Sequence, residues 1–141
     1  MLFCSRTHSQ LSQFVHEINK TRFRRNLKVA TLGSRRTLCV NEKVTKLTSV
    51  AMMNERCLDL RQKRAVRSKN ASGLAASKEK VRGCQFLEKK ATQMFREAAV
   101  ENVLDIEEHA ELGKKLHSCP YYGVQHVSKD ADVVCMPYNL L

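Results

Sequence analysis

Two short apolar runs with one amphipathic stretch between them narrow what the start of this chain can become. MLFC (1–4) is apolar and ends on polar residues, the pattern of a buried strand. THSQLSQFVHEIN (7–19) places Leu11, Phe14, Val15 and Ile18 at i, i+3, i+4 and i+7, which is one face of a helix. Thr7 and Gln10 have the spacing of a capping box at its start. LKVATL (27–32) reads as a second strand. A tight turn can join only antiparallel neighbours, so strand, helix, strand at this spacing predicts a βαβ unit and a parallel sheet. ADVVCM (131–136) reads as a further buried strand, closed by Pro137. The expected fold class is therefore α/β.

The middle of the chain differs. From about Arg56 to Lys90 it is dense in Lys and Arg, and RQKRAVRSKNASGLAASKEKVR (61–82) holds few large apolar residues. That composition predicts a solvated or disordered basic loop. Two helices are expected after it. EKKATQMFREAAVENV (88–103) carries Met94, Phe95 and Ala98 near one face. DIEEHAELGKKLHS (105–118) has Asp105 and Glu108 at capping-box spacing, with Lys114, Lys115 and His117 in its last turn, a polarity that suits the helix dipole. An α/β sheet thus flanks a helical, basic insertion.

Charge narrows the partner. The chain has 25 Lys and Arg against 14 Asp and Glu, a net charge of +11 over 141 residues. This balance favours a polyanion, through phosphate neutralisation and counterion release. No apolar run approaches the roughly 18–20 residues of a membrane span, and no helix joins a basic face to a bulky aromatic one, so a membrane partner is not expected. MLFC is too short for a signal-peptide core. Six cysteines without a secretory leader argue against a disulfide framework. They read as reduced thiols, small buried hydrophobes or metal ligands.

Two places carry chemistry. Where a parallel strand runs into a helix N-terminus, unpaired N–H groups and the helix dipole favour anions. The guanidinium of Arg6, the hydroxyls of Ser5 and Thr7, and the amide of Gln10 add donors suited to phosphate oxygens. A capped helix whose polar start faces water explains Thr7 and Gln10 equally well. The second place is the set Cys39, Cys57, Cys84 and Cys119, none of which forms a CxxC pair. The spacing matches neither zinc fingers nor short-spaced ferredoxins, so it gives no metal signal of its own. Cys4 and Cys135 fall within apolar strand patterns and read as core residues.

SRTHSQ after an apolar strand resembles motif Ia of the XPD-like superfamily 2 DNA helicases. LGSRRTLC, NERC, CPYYG and ADVVCMPYNLL extend the resemblance along essentially the whole chain, with wording nearest the ChlR-type helicases linked to sister-chromatid cohesion. The resemblance implies part of a RecA-like helicase motor domain with an inserted, mainly helical iron–sulfur domain. On that basis residues 1–34 would belong to motor domain 1, 35–125 to the cluster insertion with a basic loop at about 56–90, and 126–141 to the return strand. It implies contacts to the sugar–phosphate backbone of DNA at Arg6, Thr7, His8 and Gln10, with Arg35 as a further DNA-binding candidate. It implies a [4Fe–4S] cluster on Cys39, Cys57, Cys84 and Cys119, near which Arg35 and Arg36 could donate. ATP and Mg²⁺ would belong only to the complete parent enzyme. Implied partners are single-stranded or forked DNA, the rest of the helicase, and cohesion or replication proteins, in the nucleus, with movement 5′ to 3′ and roles in DNA repair or cohesion.

No GxxxxGK[ST] loop is present, and IEEH (106–109) falls on a predicted helix rather than at a strand end. No catalytic residue is assigned, and the chain alone is expected neither to hydrolyse ATP nor to unwind DNA. It reads as a helicase piece running from motif Ia to just short of the Walker B region. The competing expectation is a non-catalytic basic nucleic-acid-binding or interaction module from a truncated helicase copy, holding zinc or no metal.

Overall fold

The computed structural model describes the backbone of residues 1–70 and 83–141, with side chains for residues 1–63 and 83–141. Three parallel strands form its sheet: β1 (Leu2–Ser5), β2 (Val29–Thr31) and β3 (Val133–Pro137). Their order is β1-β3-β2, with Phe3 and Thr31 both opposite Cys135. β1 and β2 are therefore not hydrogen-bonded neighbours, as a simple βαβ unit would make them. The strand from the far end of the chain lies between them. β3 pairs with both neighbours, and its Val133 and Cys135 are buried, whereas Leu2 on the β1 edge is exposed.

Helix α1 (His8–Lys20) follows β1 directly. Thr7 caps it, its side chain accepting from the Gln10 N–H at 3.3 Å. The reciprocal half of a capping box is missing, since the Gln10 side chain turns to the Ser5 hydroxyl instead. Leu11 and Val15 are buried, and Phe14 stacks on Phe3 with ring centroids 3.8 Å apart.

Between β2 and β3 run α2 (Arg35–Leu38), α3 (Glu42–Thr45), α4 (Val50–Asn70), α5 (Lys89–Glu101), α6 (Ile106–Lys115) and α7 (Pro120–Val127). α4 corrects the expected loop: Arg56 to Asn70 is helical. Among its described residues, Met53, Cys57 and Leu60, at i, i+4 and i+7, form the buried face. Of the rest of the expected loop, residues 71–82 lie outside the described residues, while 83–90 hold the short turn Gln85–Leu87 and the start of α5. On α5 the buried residues are Phe95 and Ala99, while Met94 is 46% exposed, so the core face is rotated from the one expected. Asp105 and Glu108 form a full capping box on α6. His117 lies beyond the end of α6, in the left-handed region at φ 51°.

Two hydrophobic cores result. The larger joins the sheet to α1 and α5–α7 through Leu11, Val15, Val29, Phe95, Val124 and Cys135. Polar clamps support it: Thr31 Oγ1 donates to Leu104 O at 2.8 Å and Asn19 Nδ2 to Val103 O at 2.9 Å. Gly123 lets the Phe95 ring approach α7, for a Cβ there would lie 2.4 Å from that ring. The smaller core is built by Val44, Met53, Cys57, Leu60, Cys84, Phe86 and Cys119.

Candidate metal centre and nucleic-acid interface

Four cysteines far apart in sequence meet in the smaller core. Cys39 ends α2, Cys57 lies on α4, Cys84 precedes the short turn Gln85–Leu87, and Cys119 caps α7 just before Pro120. All four line one small cavity of about 10 Å³, together with Val44, Leu60, Phe86 and Tyr122. Main-chain bonds knit their segments together. Cys84 N donates to Leu60 O at 3.1 Å, and Cys119 N to Phe86 O at 2.8 Å. All four are free thiols.

The polar surroundings of the thiols are specific. Asn41 Nδ2 donates to Cys84 Sγ at 3.4 Å, while its Oδ1 caps α3. The Tyr122 hydroxyl lies 4.0 Å from Cys57 Sγ and 3.3 Å from Arg35 Nη2. Arg35 also donates to Asn54 Oδ1 at 3.1 Å and packs its guanidinium 4.2 Å from the centre of the Tyr121 ring. Burial pulls the Arg35 pKa down, but bonds to Tyr122 and Cys57 outweigh it and hold the value above its ordinary level. Its Nε is buried and has no partner among the described residues. Burial pushes the Cys119 thiol up to about 12, helped by the neighbouring Cys84, Cys39 and Cys57 and opposed by the Tyr122 N–H. Burial raises Cys39 as well. These are thiols whose ionised forms need positive charge placed among them.

The donor set fits a group bound by four thiolates. Four thiolates suit an iron–sulfur cluster or a zinc ion. Zinc at about 2.3 Å from each sulfur would hold the sulfurs about 3.8 Å apart. Among the described residues, the only trio of His, Cys, Asp or Glu side chains with ligand atoms all within 4.8 Å of one another is His16, Asp105 and Glu108. No three of the four thiols are that close. The His16 trio is already committed: Asp105 and Glu108 form the α6 capping box, and Asp105 accepts from Ser12 at 2.6 Å.

The β1–α1 junction is a separate place. Ser5 is buried and tied to Gln10, and the Thr7 N–H reaches Ser5 Oγ at 3.4 Å. Arg6, Thr7, His8 and Gln10 are exposed at the end of β1. His8 borders a cleft of about 630 Å³ that runs along α1 to Asp105. Arg35, by contrast, is turned into the protein beside the thiols. Arg36 is exposed, with Nη2 3.4 Å from Thr48 O.

The DEAD_2 family model matches residues 3–141, a span that takes in the junction, all four cavity cysteines and β3. The chain belongs to the DEAD_2 family. Similar DEAD_2 relatives include the ATP-dependent DNA helicase DDX11 of Mus musculus, 41% identical over 143 residues and covering 99% of this chain and 16% of the relative. The ATP-dependent DNA helicase chl1 of Schizosaccharomyces pombe is 40% identical over 144 residues, covering 99% of this chain and 15% of the relative. The chain thus spans about a sixth of the length of these curated relatives.

Sequence reading passed over Asn41, Asn54 and Tyr122. The signals were available for two of them: Asn41 stands two residues after Cys39, and Tyr122 follows Cys119 in CPYYG. Asn54 joins the Arg35 network from α4, an element that composition had hidden.

Proposed function

We propose that this chain is a segment of an ATP-dependent DNA helicase that contacts the nucleic-acid backbone and carries a [4Fe–4S] cluster on Cys39, Cys57, Cys84 and Cys119. The observation that carries the reading is the convergence of these four cysteines on one cavity, in a chain 40–41% identical to DNA helicases along nearly all its length. Residues 1–34 and 126–141 belong to a RecA-like motor domain, and residues 35–125 are the inserted cluster domain. The cluster, when bound, acts as a structural staple with four thiolate anchors. Asn41 and Tyr122 then serve the sulfurs as hydrogen-bond donors, and Arg35 supplies positive charge beside them.

Arg6, Thr7, His8 and Gln10 meet the phosphates of the bound strand, while Arg35, turned in beside the thiols, is not among these contacts. The parent enzyme supplies ATP and Mg²⁺ binding, moves 5′ to 3′ on single-stranded or forked DNA, and works in the nucleus with cohesion or replication proteins in chromosome maintenance and repair. The test is binding of a labelled oligothymidylate across a salt series, for the full chain and for Arg6→Ala. Loss of one single-strand phosphate contact flattens the slope of log K against log salt by about 0.7. An unchanged slope removes Arg6 from the interface.

A further inference from the structure

One buried residue serves two of the four thiols. Asn41 stands two residues after Cys39, and its side chain reaches across to a cysteine 43 positions further along. There its Nδ2 donates to Cys84 Sγ at 3.4 Å. The Asn41 main-chain N–H is a further donor, to the Cys39 thiol. At the other end of the amide, Oδ1 accepts from Lys43 N at 3.1 Å and so caps α3. The Asn41 carbonyl accepts from Val44 N at 2.8 Å and Thr45 N at 3.0 Å. Every polar group of this buried residue is therefore engaged. The amide cannot be turned end for end, because an N–H faces Oδ1 and leaves the NH₂ for the sulfur.

A helix cap alone does not call for asparagine. Serine and aspartate cap about as well. What asparagine adds is an acceptor at one tip for the helix and a donor at the other for Cys84. Donation to an ionised sulfur is charge-assisted and draws electron density from it. In an iron–sulfur centre, hydrogen bonds to the sulfurs help set the reduction potential, and a donor raises it because the added electron meets less negative charge. Tyr122 is placed less closely, with its hydroxyl 4.0 Å from Cys57 Sγ. We propose that Asn41 is a positioning residue for the cluster, fixing Cys84 against the Cys39 segment and raising the reduction potential of the bound group through its bond to Cys84. This rests on the cluster reading above and gives one residue a defined part in it.

The experiment compares the anaerobically purified full chain with Asn41→Ser, Asn41→Leu and the control Asn102→Ser. Serine keeps an oxygen for the α3 cap but is too short to reach the Cys84 sulfur. Leucine supplies neither bond. Asn102 is an exposed asparagine at the end of α5 whose amide donates to Ala98 O. Reduction potentials come from a dithionite titration followed by electron paramagnetic resonance, and iron retention from release to a chelator. Both Asn41 variants are expected to have a lower potential than the unmodified chain and to hold iron at least about tenfold less tightly. The control is expected to match the unmodified chain. Asn41→Ser carries the comparison if Asn41→Leu does not fold. An unchanged potential in Asn41→Ser would reduce Asn41 to a helix cap and overturn the inference. So would a raised potential in either variant, which marks water entering the cavity, or an equal shift in the control. In these cases the brown unmodified chain still upholds the cluster reading. An unmodified chain without iron ends both.

Discussion

The two cores of this chain are held by different chemistry. The sheet-side core is made of interlocking apolar side chains, with Leu11, Val15, Ala30, Phe95, Ala99, Val124 and Cys135 all at 0% exposure. Burial of each large one contributes about 1.5–3 kcal/mol. The cysteine-side core is smaller, and three of its seven buried residues are thiols. Its helices α2 and α3 are single turns of four residues, too short to be stable alone. One half therefore has what it needs to fold from side-chain packing. The other is organised around the four thiols proposed to hold the cluster, so cluster binding there would be linked to folding.

Three substitutions would break or sharpen that contrast. Phe95→Ala should have the largest effect, costing about 3–5 kcal/mol, because the ring is fully buried against Gly123 and His109. Urea unfolding followed by circular dichroism measures it. A loss below about 1 kcal/mol would mean that the sheet-side core is not the main source of stability.

His109 comes next. It is buried, neither ring nitrogen has a hydrogen-bond partner among the described residues, and burial lowers its pKa to about 4, with Asp105 acting weakly the other way. The unfolded chain binds this proton near pH 6.5. Stability from the neutral ring is therefore complete above about pH 6.5, falls as pH drops toward 4, and levels off below that. The full loss is about 3 kcal/mol. Urea midpoints at pH 7 and pH 4.5 should differ less in His109→Leu than in the unmodified chain. An identical pH dependence would show that His109 is solvated or bonded in solution.

Asp105→Ala is the smallest of the three. It removes the α6 cap and the acceptor for Ser12, at about 1–2 kcal/mol. Its effect should appear in sheet-side stability and leave metal content unchanged. Loss of metal would show that the two cores are not separable.

Sequence made the sheet side readable because its signals are local. The runs that became β1, β2 and β3 are apolar and short, and the helical period around Leu11 and Val15 is clear. Strand order was not local information, and β3 entered between β1 and β2. α4 was missed because its Lys and Arg content masks a sparse apolar stripe of Met53, Cys57 and Leu60. Composition reports the solvated faces of such a helix, while the buried face, among its described residues, rests on three. The cysteine centre was beyond spacing arguments, since its ligands come from four separate segments and only the fold brings them together. Resemblance to a known family supplied that grouping. Arg35 illustrates the remaining limit: an arginine before a cysteine looks the same in sequence whether it faces solvent or bonds Asn54 and Tyr122 inside.

The central claim is that four convergent thiolates hold an iron–sulfur cluster on which the cysteine-side half depends. The direct measurement is iron, sulfide and zinc analysis of the anaerobically purified full chain, beside Cys84→Ser and Cys4→Ser. The account predicts brown protein with about four irons and four sulfides per chain, lost in Cys84→Ser and kept in Cys4→Ser. Colourless protein with zinc or no metal, or equal iron loss in both variants, would contradict it.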